Sequence, residues 1–113
     1  MEYLESNARY SKAVIHGDTV YLAGQIAPDP GADVVGQTRQ VLEQIDILLG
    51  RCGSDKSRVI SALVLLKDMG DLEAVNTVWD TWIVPGRPPA RTPMQAPLAD
   101  PRFLVEIQIV AAR

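Results

Sequence analysis

The sequence predicts an α+β domain with the element order ββαβαββ, in which two helices cover one face of a sheet. Three observations lead to this fold class. Residues 11–15 and 19–26 are apolar runs around a short turn, a pattern typical of a β-hairpin. Residues 34–49 and 72–83 carry apolar side chains at helical spacing. Residues 58–68 form a run of Val, Ile and Leu that is typical of a buried strand.

The composition is that of one folded domain covering residues 1–113, with 47% hydrophobic and 22% charged residues. The net charge of −3 and the absence of a Lys/Arg run predict no nucleic-acid partner. The longest apolar stretch is too short to cross a bilayer, and no signal peptide is visible. One cysteine excludes an internal disulfide and a cysteine zinc cluster, and one histidine excludes a multi-histidine metal site. We therefore expect a cytoplasmic protein without membrane, metal or cofactor.

The first half of the chain contains a hairpin and a helix. Gly17 and Asp18 supply the turn of the hairpin. Asp33 is a good N-cap for the helix, and its apolar stripe begins clearly at Val41. Either Gly50 or Gly53 can end it in a left-handed conformation.

The strand at residues 58–68 is predicted to be central, because both of its faces are apolar. Alternation assigns its side chains to two faces: Val59, Leu63 and Leu65 on one, and Ile60, Ala62, Val64 and Leu66 on the other. Asp71 is expected to cap the second helix, and Pro85 and Gly86 to end it.

The sequence signal is weaker for the fourth predicted strand than for the fifth. Residues 91–98 contain Pro93 and Pro97, which predicts a short or edge strand. Residues 103–111 alternate cleanly, so Phe103, Val105, Ile107 and Ile109 share one face. Two helices cover only one face of the sheet, and the most economical cover for the other face is a second subunit.

Arg91 is the first candidate for chemistry. It follows Pro88-Pro89-Ala90, a stiff segment that would hold the guanidinium rigidly. The planar guanidinium matches a carboxylate in two-point hydrogen bonding. A solvated arginine or a structural salt bridge is the commoner role of such a residue and stays open at this point.

Glu106 is the second candidate, because it interrupts an otherwise apolar strand beside Gln108. A carboxylate buried at an interface would have a raised pKa suited to proton transfer. A solvated strand face is the alternative.

Other residues give weaker indications. Tyr10 can pack or bind a ligand, and Asn76 can bind a loop backbone or face water. Gly24 within a strand indicates close approach by a ligand or another backbone. The pair Trp79 and Trp82 is interpreted as core rather than as a stacking platform.

Together, the element order and these residues form a pattern that resembles a known protein family. The order ββαβαββ, with Tyr10, Gly24-Gln25, Asn76, Pro89-Ala90-Arg91 and Val105-Glu106-Ile107, resembles the RidA/YjgF/RutC family of enamine/imine deaminases, also called endoribonuclease L-PSP. The similarity covers nearly the whole chain and is greatest to the YoaB-like branch.

The resemblance implies a chorismate-mutase-like homotrimer with clefts between subunits. It implies that Arg91 binds the carboxylate of a small metabolite and that Glu106 holds the attacking water. Tyr10, Ala23, Gly24 and Pro93 would line the pocket, with Asn76 and Gln95 as structural residues nearby.

Two positions depart from the family pattern. Ala23 replaces a serine before the Gly-Gln pair, and Pro93 replaces a residue whose amide donates. The leading hypothesis is hydrolysis of 2-imino acids, such as 2-iminopropanoate, to 2-oxo acids and ammonia. A non-catalytic carboxylate-binding protein is the first alternative, and a ribonuclease, disfavoured by the acidic charge, is the second.

Overall fold

The computed structural model describes all residues from Met1 to Arg113. The α+β class and the two predicted helices are confirmed, with one strand more than predicted. The elements are β1 (Glu2–Ser6), β2 (Ser11–His16), β3 (Thr19–Leu22), α1 (Val34–Arg51), β4 (Val59–Leu66), α2 (Leu72–Trp82), β5 (Ala90–Gln95) and β6 (Val105–Ala112). The strands form one sheet in the order β1-β2-β3-β6-β4-β5. Only β4 and β5 pair in parallel.

The additional strand is β1, which pairs antiparallel with β2 at the edge of the sheet. Its sequence, EYLES, is polar or exposed at four of five positions and has no run of β-branched residues. Glu5 has a positive φ of 49°, a left-handed conformation that a regular strand does not contain. The strand therefore depends on its pairing with β2, which local sequence patterns do not reveal.

The hairpin and the first helix form as predicted. Gly17 adopts a φ of 59° in the turn between β2 and β3. The Asp33 carboxylate accepts a hydrogen bond from the Gly36 amide at 2.8 Å, which caps α1. Past the last turn, Gly53 has a φ of 74°, so Gly53 rather than Gly50 is the left-handed residue.

Strand β4 lies inside the sheet between β6 and β5, as predicted. The predicted assignment of its first two side chains is wrong, because the register shifts between Val59 and Ser61. Ile60 is the extra residue of a β-bulge, which reverses the alternation at that point. Val59 consequently joins the core, and Ile60 is half exposed.

Both helices pack on the same face of the sheet, where one apolar core joins them to β2, β3, β4 and β6. Neither helix is long and apolar enough to cross a membrane. The opposite face, called the open face below, has no helix over it. Its apolar side chains are half-buried or exposed: Tyr3, Val14, Tyr21, Leu63, Leu65, Met94 and Val110. The open face is the surface for which subunit contact was predicted, and that contact stays a prediction.

Candidate functional site

Arg91 projects from the edge strand β5 toward helix α2. Its Cα pairs with that of Ala62, whose side chain is in the core on the helix side of the sheet. The Nη1 atom donates to Oδ1 of Asn76 at 2.9 Å, and the guanidinium carbon lies over the Trp79 ring, 5.3 Å from its centre. No carboxylate lies within 4.0 Å of the guanidinium. Arg91 is therefore half-buried and held in place, but its charge is not paired within the chain.

Trp79 has a role that the sequence interpretation missed. It is 4% exposed and belongs to the core, as predicted. It is also a platform for Arg91, because the indole carries the guanidinium on its face. Trp79 in turn packs on Trp82, with ring centres 5.3 Å apart, and the Trp82 Nε1 donates to Oδ1 of Asp46 at 3.1 Å. Partial desolvation raises the pKa of Asp46 above the usual value of an aspartate, although the bond from Trp82 opposes the shift.

The other residues predicted near Arg91 divide into two groups. Asn76 contacts Arg91 directly, and Pro93 lies two residues along β5 on the same face, opposite Val64. Gln95 is directed elsewhere, since its Oε1 accepts from the backbone amide of Met69 at 3.2 Å. We call Arg91, Asn76 and Trp79 the arginine cluster.

Glu106 lies on the open face of β6, where it pairs with Leu65. It is half-buried and makes neither an ion pair nor a side-chain hydrogen bond within the chain. Its carboxyl group rests against Gly24, where a Cβ would lie 3.0 Å from the carboxyl carbon and closer still to Oε2. The backbone of Gln25 pairs with that of Ile107, which fixes Gly24 beside β6. The sequence predicted a strand glycine approached by a ligand or another backbone. In the structure Gly24 follows the end of β3, and the group that approaches it is the Glu106 side chain.

A cavity of about 240 Å³ adjoins Gly24. Its lining includes Tyr10, Lys12, Ala23, Gly24, Gln25 and Gln44. Tyr10 is 56% exposed, so it is available to a ligand rather than packed in the core. Lys12 and Gln44 were not singled out from the sequence, because a lysine on a strand and a glutamine on a helix are ordinary surface residues. Glu106 is not among the lining residues of this cavity and adjoins it only through its contact with Gly24. We call Glu106, together with the lining residues Gly24, Ala23 and Tyr10, the glutamate cluster.

The two clusters do not meet within one chain. Arg91 shares the helix side with Ala62, whereas Glu106 shares the open face with Leu65, and β4 runs between them. Two strand spacings across the sheet and three residues along it separate their Cα atoms by about 14 Å. A small metabolite bound to one cluster therefore does not reach the other on the same chain.

The single cysteine lies outside both clusters. Cys52 is buried at the end of α1, and burial raises the pKa of its thiol. Such a thiol is protonated at neutral pH and is a poor nucleophile. No group of three or more His, Cys, Asp or Glu side chains is arranged to hold a metal ion.

Comparisons with known proteins agree on one family. The family model described as Endoribonuclease L-PSP matches residues 2–113. The chain is 42% identical over 109 residues to the RutC family protein YoaB of Escherichia coli strain K12, which covers 96% of this chain and 95% of the relative. A RutC family protein of Haemophilus influenzae is 41% identical over 107 residues, 93% of this chain and 91% of the relative.

Solved structures show the same fold. A protein from Pseudomonas aeruginosa, described as uncharacterized, superposes with a TM-score of 0.97 at 46% identity, covering 99% of this chain and 97% of that one. A member of the YjgF protein family from Neisseria meningitidis superposes with a TM-score of 0.95 at 42% identity, covering 99% and 93%. The six-stranded sheet with two helices is therefore the chorismate-mutase-like fold of YjgF proteins. The chain belongs to the RidA/YjgF/RutC family, in its YoaB-like branch.

Proposed function

We propose that this protein is a deaminase that hydrolyses small 2-imino acids, or the enamines in equilibrium with them, to 2-oxo acids and ammonia. One observation carries the proposal: Arg91 is half-buried without an acidic partner. A guanidinium that is partly removed from water and unpaired binds an incoming anion favourably. Asn76 occupies one of its N–H groups, and the others remain free for a carboxylate.

The role of Arg91 in this proposal is binding and orientation. Two parallel N–H donors fix a substrate carboxylate in one plane, and with it the adjacent imine carbon. The positive charge also withdraws electron density from that carbon. The imine is already electrophilic when protonated, so the reaction needs no cofactor.

The role of Glu106 is proton transfer. In the first step the carboxylate accepts a proton from water while the water oxygen forms a bond to the imine carbon and the C=N pair moves to nitrogen. The same carboxyl group then returns the proton to nitrogen. As the C–N bond breaks and ammonia leaves, the carboxylate takes up the proton of the hydroxyl group, so that the C=O bond of the 2-oxo acid forms, and it passes that proton to the departing ammonia. The absence of a cation bound to Glu106 leaves its oxygens free for water.

The proposed site is assembled between subunits of a homotrimer. Arg91 and Glu106 lie on opposite faces of the sheet in one chain, so a single small substrate needs the arginine cluster of one chain and the glutamate cluster of another. The apolar open face supports such an association, because burying it would remove several large hydrophobic side chains from water.

Ala23 and Pro93 leave fewer hydrogen-bond donors for a substrate. Ala23 offers no hydroxyl beside Gly24, and Pro93 has no backbone N–H to donate. The carboxylate would then depend on Arg91 for its hydrogen bonds. These two departures from the family pattern also favour the second candidate function, in which the same cleft binds a 2-oxo or related acid without turnover.

The test is release of 2-oxo acid from imine formed in place by an amino-acid oxidase, corrected for spontaneous hydrolysis. The proposal expects wild-type protein to exceed the spontaneous rate for at least one small imino acid. If none is hydrolysed but calorimetry shows that pyruvate binds, the binding protein replaces the deaminase. Cleavage of RNA under the same conditions would instead support the activity in the family's older description.

A further inference from the structure

The arginine cluster holds Arg91 by two contacts of different kinds. The Asn76 bond fixes the position of Nη1, but a single hydrogen bond leaves the guanidinium plane free to rotate about it. The Trp79 ring lies under the guanidinium and restricts that rotation. Neither residue carries a charge, so neither neutralises the positive charge of Arg91, although Asn76 occupies one of its N–H groups.

The Trp79 ring is itself fixed. It is almost completely buried, and it packs against Trp82 at an interplanar angle of 47°. The Trp82 indole is tied to α1 through its bond to Asp46. The orientation of the ring under Arg91 is therefore set by the packing of α2 on α1.

We propose that Trp79 is a positioning residue that sets the plane of the Arg91 guanidinium and thereby the affinity for a substrate carboxylate. The Trp82–Asp46 bond holds Trp79 in place for this purpose. The inference rests on the proposed function for the identity of the anion, but the placement of Arg91 by Trp79 is independent of any activity.

The test compares Trp79→Phe with Trp79→Leu. Phenylalanine keeps an aromatic face under Arg91, whereas leucine keeps apolar volume without one. We expect Trp79→Leu to weaken pyruvate binding in calorimetry by about 2- to 30-fold, the range of a cation–π contact. The same change should raise KM for imine more than it lowers kcat, and Trp79→Phe should restore most of the affinity.

Val41→Ala is the matched control. Val41 is a fully buried core residue on α1, whereas both contacts of Arg91 come from α2. Its truncation should lower stability without changing pyruvate affinity. Equal loss of affinity in Val41→Ala and Trp79→Leu would show that general loosening of the core, not the ring, is responsible, and would overturn the inference.

A nuclear magnetic resonance measurement separates this inference from the proposed function. The ring current of Trp79 should shift the Arg91 Hδ and Hε signals upfield in wild type and Trp79→Phe but not in Trp79→Leu. If these shifts are seen and no imine is hydrolysed, the deaminase proposal fails and the positioning of Arg91 stands. If wild type and Trp79→Leu give the same Arg91 shifts, the inference fails whatever the activity.

Discussion

Gly24 and Glu106 are in direct contact on the open face of the sheet, and the carboxyl group of Glu106 occupies the space that a side chain at position 24 would fill. The backbone pairing of Gln25 with Ile107 enforces this contact. Position 24 therefore has no space for a side chain while the Glu106 carboxyl group keeps its present position.

Gly24→Ala should displace the Glu106 carboxylate and reduce imine hydrolysis about tenfold or more, since misplaced catalytic groups lose rate steeply. The fold should persist, because the flexible end of Glu106 can move aside. Gly50→Ala is the control: Gly50 lies in the last turn of α1, and a Cβ added there would meet no atom within 4 Å. That change should stabilise the protein by about 0.5–1 kcal/mol and leave activity unchanged. Unaltered turnover in Gly24→Ala would show that the position of Glu106 is not important.

Arg91→Lys should weaken binding of pyruvate or 2-oxobutyrate in calorimetric titration. Lysine keeps the positive charge but loses the planar pair of donors and the contact with Asn76. We expect a loss of about 1.5–3 kcal/mol of binding free energy, the net value of a hydrogen bond to a charged group. Unchanged affinity would mean that the carboxylate binds elsewhere.

Asp46→Asn should stabilise the protein at neutral pH. Desolvation raises the pKa of Asp46 in the folded state, so the folded protein favours the protonated carboxyl group. The contribution of Asp46 to the free energy of unfolding is therefore fully present below its unfolded pKa. It is lost as pH rises through the folded pKa. Asparagine can still accept the Trp82 bond and carries no charge to desolvate. Thermal melts should therefore show that the free energy of unfolding of the variant exceeds that of wild type at pH 7, by less than about 1 kcal/mol. This difference should disappear near pH 3. A loss of stability at pH 7 would contradict this account.

The protein should be a trimer of about 37 kDa, three times the chain mass of 12.3 kDa, by light scattering at micromolar concentration. Leu63→Asp places a charge on the open face and should dissociate the assembly, because the carboxylate would be buried in the proposed interface. Ile47→Asp, at an exposed apolar residue of α1, should leave the trimer intact. A 12.3 kDa monomer for the wild type would exclude a site built from two chains.

Much of the fold could be predicted from sequence because its signals are local. The Asp33 cap, the Gly17 turn and the alternation of β6 each depend on neighbouring residues, and the structure confirms all three. Strand β1 and the bulge at Ile60 could not be predicted, since both arise from pairing with distant strands.

The sequence named candidate site residues but not their arrangement. The stiff segment before Arg91 and the polar break at Glu106 marked the two residues as candidates, a solvated role stayed open for both, and the resemblance to a family favoured ligand and catalytic roles. Their placement on opposite faces depends on the sheet order and register, which local patterns do not encode. The contact of Trp79 with Arg91 likewise depends on how α2 lies against β5. The sequence shows only that Trp79 falls on the apolar side of a helix, which does not indicate this contact.

The central claim is that Arg91 of one chain and Glu106 of another act on the same imine, and subunit mixing tests it most directly. Glu106→Gln should keep the fold and bind pyruvate but lower imine hydrolysis about 10²–10⁴-fold, because glutamine cannot accept the proton. Arg91→Ala should be inactive through loss of binding.

When the two inactive variants are unfolded together and refolded in equal amounts, random trimers should regain about a quarter of wild-type activity, since one interface in four pairs an intact Arg91 with an intact Glu106. A mixture no more active than the mean of the two variants would contradict the claim.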